Sequence, residues 1–463
     1  MKRIIFSSME QLIYNVHDKP SITKLILFAL QQLLAITAGT ITMPLIVGHG
    51  LSQSAALFGA SVGTLVYLLI TKFKSPVFLG SSFTYIGAMA SAFAGAATAS
   101  IGYVGIILGA MMAGLVYVVL GIIVKFTGTK WINKVMPPVI IGPIVALIGL
   151  TLAPNAVRNL LRGNIYLNGA PVASPYICLL VGFVTLIITI IVSVHGKGFI
   201  KLVPFIIGIF GGYLIASIFT IIGNSSSIDS LKIIDYSALE QIRWIPDFSF
   251  LHLKDGFSDL INSGKTWSYL GLIAVLYVPV AFAVFAEHIA DHKNLSSIIG
   301  QDLTKDPGLH RTLLGDGFGS MVGAFFGGCP NTTYGESISC VAFSKNASII
   351  TIVVTSCMGI VISFFGPVMT FFETIPDCII GGLSIALYGY IASSGLRMLK
   401  DVDMNNVKNI FVISAIFIVG IGGLTISFYH FEFSPIACAL VAGILVNLLI
   451  NMPFRKKKEE QEK

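Results

Sequence analysis

Charge is scarce in this sequence. Only 11% of the 463 residues are Asp, Glu, Lys or Arg, against about 25% in soluble domains. With 55% hydrophobic residues and a mean hydropathy of +0.87, a soluble fold could not hide so much apolar surface, and lipid is the expected solvent. The six cysteines (Cys178, Cys329, Cys340, Cys357, Cys378, Cys438) form no C-x-x-C pair, so neither a zinc site nor a disulfide framework is expected. No phosphate loop, metal-ligand cluster or nucleophile–base pair stands out, which argues against an enzyme and against a cofactor. No cleavable leader is expected, because residues 1–23 are polar and mixed. The net charge of +7 does not point to nucleic acid, since the basic residues sit in short connections between apolar runs.

Those runs are what the sequence has in abundance. A span needs about 20 apolar residues. Fourteen segments are expected, at 24–48, 53–71, 76–94, 101–124, 136–153, 175–195, 200–223, 269–290, 312–327, 330–345, 347–373, 376–396, 407–427 and 433–452. Basic residues collect on the cytoplasmic side of a membrane. With the N-terminus inside, 23 of the 29 Lys and Arg fall on the inner side. The outer six are Arg158, Arg162, Lys232, Arg243, Lys254 and Lys265. This alternation predicts an even count with both termini cytoplasmic.

The halves resemble each other weakly. Pro137-Pro138-Val139-Ile140-Ile141-Gly142 matches Pro376-Asp377-Cys378-Ile379-Ile380-Gly381, and Gly80-Ser81-Ser82-Phe83-Thr84-Tyr85 matches Cys329-Pro330-Asn331-Thr332-Thr333-Tyr334. Chance recurrence in apolar sequence is the bland reading; two matches in the same order weigh against it. Seven spans per half is an odd number, so the halves should sit upside down to each other, a frequent plan in secondary transporters. Ser81–Tyr85 and Pro330–Gly335 are poor helix material between apolar stretches. They are expected to run extended, side by side, with half-helices starting just after them whose N-termini point donors into a cavity. The alternative is a pair of packing kinks.

Two acids are expected inside the bilayer, Glu287 in Phe285-Ala286-Glu287-His288 and Glu336 after the segment-ten break. Intramembrane carboxyls usually face a cavity and act there, and burial favours their neutral form, so each is a candidate proton carrier, substrate acceptor, or both. A structural ion pair is the competing reading. Asp291, one turn beyond Glu287, shares its face but is expected to be a solvated cap. His288 points about 100° away from Glu287 and stays ambiguous. His292 is expected to be interfacial.

These motifs resemble those of bacterial uracil permeases in the nucleobase–cation symporter-2 (nucleobase–ascorbate transporter) family. The resemblance runs through nearly the whole chain. It is densest at Phe285–His288, Lys305-Asp306-Pro307-Gly308-Leu309-His310-Arg311, Pro330–Glu336, Tyr388-Gly389 and Ser394-Gly395. It implies an all-α polytopic membrane protein: fourteen segments in two inverted repeats of seven, with short antiparallel strands in segments three and ten. It divides the chain into a cytoplasmic N-terminus (1–23), a first core half (24–124), a first gate half (125–223), an outer loop (224–268), a second core half (269–373), a second gate half (374–452) and a basic tail (453–463).

By position, the family's substrate acids fall on Glu287 and Glu336, and its backbone contacts on Phe83, Tyr334 and Gly335, with Gly39 nearby. A gate-side aromatic falls on Tyr388, and proton coupling on Glu287 with Asp291 and His288. The implied partners are uracil, protons and the lipid bilayer, in a bacterial cell membrane, with a homodimer left open. Two departures exist. Relatives carry a Gln-His pair in segment one where this chain has Gln31-Gln32, and many carry a His where this chain has Asp291. A different proton route or coupling ion is therefore open. A purine, xanthine or urate permease of the same family is the nearest alternative; a channel or membrane receptor is the alternative from another class.

Overall fold

The computed structural model describes residues 12–128, 137–167, 170–197, 200, 204–240, 242–400, 402–428, 431–433 and 435–451. About half of the N-terminal segment 1–23, the basic tail, and Lys130, Lys134 and Lys201 of the charge pattern lie outside them.

Long apolar runs give long helices. α1 (Ile22–Val47) ends at Gly48, whose φ of 74° lets its N–H return to the Pro44 carbonyl at 2.9 Å. α2 (Gln53–Ile70) is capped by Ser52, which accepts from the Ala55 amide at 3.2 Å. Segment three is broken: β1 (Leu79–Ser81), a 3-10 turn at Phe83–Tyr85, then α3 (Ile86–Ala94). Thr98 caps the 29-residue α4 (Ala99–Thr127). α5 (Pro138–Asn159) starts on proline at its first position, where no N–H is needed. A small hairpin, β2 (Tyr166–Leu167) and β3 (Ala170–Pro171), precedes α6 (Pro175–His195) and α7 (Pro204–Ser225).

The outer loop carries three short 3-10 turns and α8 (Leu253–Asn262). Its aromatics pin it down: Phe248 meets Phe58 of α2 at 5.0 Å, and Phe250 stacks on Phe325 at 5.1 Å. α9 (Thr266–Ile299) has 34 residues, so the helix continues past the predicted end at 290. α10 (Leu309–Gly327) leads to β4 (Asn331–Thr333) and α11 (Gly335–Ser344), the second broken segment. α12 (Ile349–Ser363) and α13 (Gly366–Glu373) meet at a 75° bend. α14 (Asp377–Met398), α15 (Val407–Ile421), the β5 (Ile426–Phe428)–β6 (Phe431–Phe433) hairpin and α16 (Pro435–Asn451) complete the chain.

Among the described residues, seven helices (α1, α2, α4, α5, α6, α7, α9) are each long and apolar enough to cross a bilayer, and the bent α12–α13 pair makes an eighth. The other six expected segments are broken, shorter or more polar helices, which hydropathy alone does not mark as crossings.

Repeat-related elements pack on each other. β1 pairs antiparallel with β4, in the register Leu79↔Thr333, Gly80↔Thr332, Ser81↔Asn331. α2 packs on α10, and α5 on α14. Both contacts are backbone-close. A Cβ on Gly63 would lie 2.5 Å from the Gly319 carbonyl oxygen, and one on Gly142 would lie 2.9 Å from that of Gly395. The packing sorts into two groups. α1, α2, α4, α9, α10 and α12 form one; α5, α6, α14, α15 and their neighbours α7 and α16 form the other.

Candidate functional site

The site is built on the two breaks. The β1–β4 ladder satisfies backbone groups that helices would otherwise hold, and the Ser82 amide donates to the Pro330 carbonyl at 2.9 Å to close it. Hydroxyls finish the frame: Thr64 of α2 accepts from the Leu79 amide at 2.9 Å, and Ser337 of α11 from the Phe78 amide at 2.9 Å. The extended part of segment three is Leu79–Ser81, earlier than the expected Ser81–Tyr85, which instead enters a tight turn carrying Phe83. The half-helices α3 and α11 start just after the breaks, as expected.

Tyr334 is seated between two glycines. A Cβ on Gly80 would lie 2.6 Å from its ring, and one on Gly39 of α1 would overlap its hydroxyl and lie 3.4 Å from Phe83. Gly39, Phe83 and Tyr334 thus share one spot. A Cβ on Gly335 would meet nothing within 4 Å, so the start of α11 faces open space, with Glu336 beside it. Tyr388 of α14 is buried in the same apolar cluster as Tyr85 and Phe285, against which Phe83 packs.

Glu287 lies within α9, roughly three turns before its end, and accepts a hydrogen bond from Thr84 at 3.3 Å. Glu287, Asp291 and Glu336 keep partial accessibility although protein surrounds them, as groups lining an internal space do. Asp291 accepts from Thr333 of β4 at 2.9 Å. It is deeply placed and is not the solvated cap the sequence suggested, because α9 continues to Ile299 and β4 covers it. His292 is 1% exposed rather than interfacial, for the same reason.

Asp316 was not singled out by sequence reasoning. It is fully buried on α10, 2.8 Å from His288 Nδ1, whose Nε2 lies 3.0 Å from Thr312 Oγ1. The signal was a charge at Leu313-Leu314-Gly315-Asp316-Gly317, inside a predicted span. The four carboxyls lie within electrostatic range: Glu287 with Asp316, Glu336 with Glu287, and Asp291 with all three. Among the described residues no Lys or Arg pairs with Glu287 or Glu336. Like charges so placed favour bound protons or a donor-rich ligand over four bare carboxylates. Gln32 of α1 donates to Ser337 Oγ, a contact that cannot titrate.

A separate cavity of about 460 Å³ opens under the outer loop, between Ser52, Gln53, Arg243, Asp247 and Glu373. It contains none of the predicted site residues.

A family model described as the permease family matches residues 23–428. The uracil permease of Bacillus caldolyticus is 36% identical over 448 residues, covering 96% of this chain and 95% of its own. The uracil permease of Escherichia coli K12 is 30% identical, with 96% of both chains covered. Among solved structures, the transmembrane domain of a cyanobacterial bicarbonate transporter, BicA, superposes with a TM-score of 0.52 at 15% identity, covering 95% of this chain and 100% of that one. The murine anion transporter Slc26a9, in its inward-facing state, gives 0.59 at 12% identity, covering 94% and 69%. At that identity they share the fold alone. With the family model spanning most of the sequence and full-length relatives above 30% identity, this chain belongs to the permease family: it is a multi-pass membrane transporter and not an enzyme.

Proposed function

We propose that this protein imports uracil across a bacterial cell membrane by proton symport, with the α1–α4 and α9–α13 group moving as a core against the α5–α7 and α14–α16 group as a gate. The observation that carries the reading is the placement of Glu336 in the first turn of α11 and of Glu287 against Thr84 at the entry to α3, with no basic partner for either among the described residues. Uracil presents two N–H donors and two carbonyl acceptors around a flat ring. The carboxyls can take the donors, and free amides after β1 and β4 can take the carbonyls. Phe83 offers a ring face or edge, and Tyr388 stands on the gate side. A site of buried polar groups rejects bases that leave them unpaired.

Proton symport follows from charge. Glu287, protonated from outside, brings the pocket closer to neutral and competent for uracil; release of proton and base inside resets it. An anion cargo, such as the bicarbonate carried by the structural neighbour BicA, is disfavoured by four carboxyls in mutual range. Purines are disfavoured by the Asn331-Thr332-Thr333-Tyr334-Gly335-Glu336 string, which resembles the pyrimidine branch.

The test is uptake of labelled uracil into proteoliposomes with an imposed pH gradient, against competing bases, with sodium absent and present. Gradient-driven accumulation competed by uracil and not by xanthine is expected. Accumulation that needs sodium and ignores the pH gradient overturns the coupling ion; preference for a purine overturns the substrate.

A further inference from the structure

We infer that His292, Tyr67 and Ser75 form the inner leg of a proton route leaving the carboxyl pocket, a role that rests on the symport reading above. The Tyr67 hydroxyl donates to Ser75 Oγ at 2.7 Å and also lies 2.8 Å from His292 Nε2; Ser75 Oγ is itself 3.4 Å from that nitrogen. His292 Nδ1 donates to the His288 carbonyl at 2.9 Å, which leaves Nε2 bare in the neutral ring. The His288 ring lies 4.1 Å from the His292 ring, and His288 is bound to Asp316 at 2.8 Å. A line of exchangeable groups therefore runs from the pocket to Ser75, next in sequence to Lys74, which the charge pattern places on the inner side and which pairs with the exposed Asp306.

Tyr67, Ser75, His288, His292 and Asp316 are all at most 1% exposed. Packing alone does not need such a line: buried polar networks are costly unless satisfied, and apolar side chains of similar volume usually serve stability as well or better. Chains of Asp, Glu and His in the membrane interior mark proton paths. The titratable groups facing the two rings are Asp316 on α10, Tyr67 on α2 and Tyr117 on α4 at 6.3 Å from His288; Glu287 and Asp291, on α9 itself, lie within electrostatic range of Asp316. The segment-one route is closed to titration at Gln32.

The steps balance. A pocket carboxyl supplies one proton to the Asp316–His288 pair. The His292 ring turns, freeing Nδ1–H from the carbonyl and presenting its bare Nε2 to His288, takes the proton at Nε2, leaves His288 neutral and turns back. Now carrying N–H at both nitrogens, it gives one to the Tyr67 oxygen while the Tyr67 proton passes to Ser75 and on to water. The wire then reverses its polarity to reset.

Two conservative variants keep the rings and remove the wire, Tyr67→Phe and His292→Phe. Each is reconstituted and read in two modes, pH-gradient-driven accumulation of labelled uracil and exchange of labelled for unlabelled uracil at equal pH. Exchange returns the carrier loaded, so its proton need never leave. Accumulation is expected to fall at least tenfold while exchange stays within twofold. Equal loss in both modes makes the residues merely structural and overturns the relay, as does retention of both. Tyr67→Phe guards against misfolding of the bolder variant. A wild type that exchanges uracil but ignores the pH gradient defeats the symport reading itself, and the relay with it, by a separate arm.

Discussion

Glu287 and Glu336 sit on different elements and ought to fail differently. Glu287 is on an unbroken helix, held by Thr84; Glu336 is in the first turn of α11, where the helix dipole favours negative charge. Glu287→Gln keeps the shape and removes the exchangeable proton. Uphill uptake is expected to fall at least tenfold in proteoliposomes, with the protein still inserted and monodisperse; normal accumulation contradicts the mechanism. On the proposed binding mode, Glu336→Gln turns one acceptor oxygen into a donor facing a uracil N–H. The lost charged hydrogen bond is worth about 1.5–3 kcal/mol, so uracil binding measured by calorimetry should weaken roughly 10–150-fold. An unchanged affinity removes Glu336 from the pocket wall. At Gly39, a valine would occupy the place of the Tyr334 hydroxyl, and loss of binding at near-normal expression is the expected result.

At the scale of elements, the glycine contacts decide how close helices come. Gly63→Leu drives side-chain atoms into the Gly319 backbone and the Asn331 side chain, 3.1 Å from the ideal Cβ. Overpacking of this kind costs about 1–3 kcal/mol or more, so a lower melting temperature in detergent is expected; an unchanged one means that α2 and α10 can part freely. The breaks in segments three and ten were legible because Ser, Thr, Pro and Gly in an apolar run leave few other readings. The depth of α9 was not, since Asp291, His292 and Lys293 read as a helix end until tertiary cover is known. Asp316 was hidden by its glycines. Glycines on both sides of Asp316 give it no apolar frame in the sequence, and only the packing of Gly315 on Tyr67 and of Gly317 on the Gly114 backbone shows how deeply that stretch of α10 is buried. That information belongs to partners far away in sequence.

For the whole molecule, the surface divides by solvent. α6 and α7 expose Ile187, Ile190, Ile191, Leu214, Ile218 and Ile221, an apolar face suited to lipid. Ile187→Lys should cost about 2.5–3.5 kcal/mol of insertion and reduce the membrane-inserted fraction, measured by alkaline extraction. Insertion at the wild-type level assigns that face to water or to protein. Reporter fusions at both ends should read as cytoplasmic, as the distribution of Lys and Arg predicts; an outward signal from one end alone breaks the even count, and from both ends reverses the orientation.

The floor of the pocket is a ladder of three residue pairs whose strands, 79–81 and 331–333, come from opposite halves of the chain. During synthesis nothing resembling the site exists until the second strand has been made and threaded into place. The cargo therefore cannot steady the first half as it emerges, and early insertion must rely on lipid and on helix contacts alone. Cutting the chain in the outer loop and expressing both pieces together would restore the ladder only where the two halves find each other, which makes pocket formation itself a reporter of their assembly.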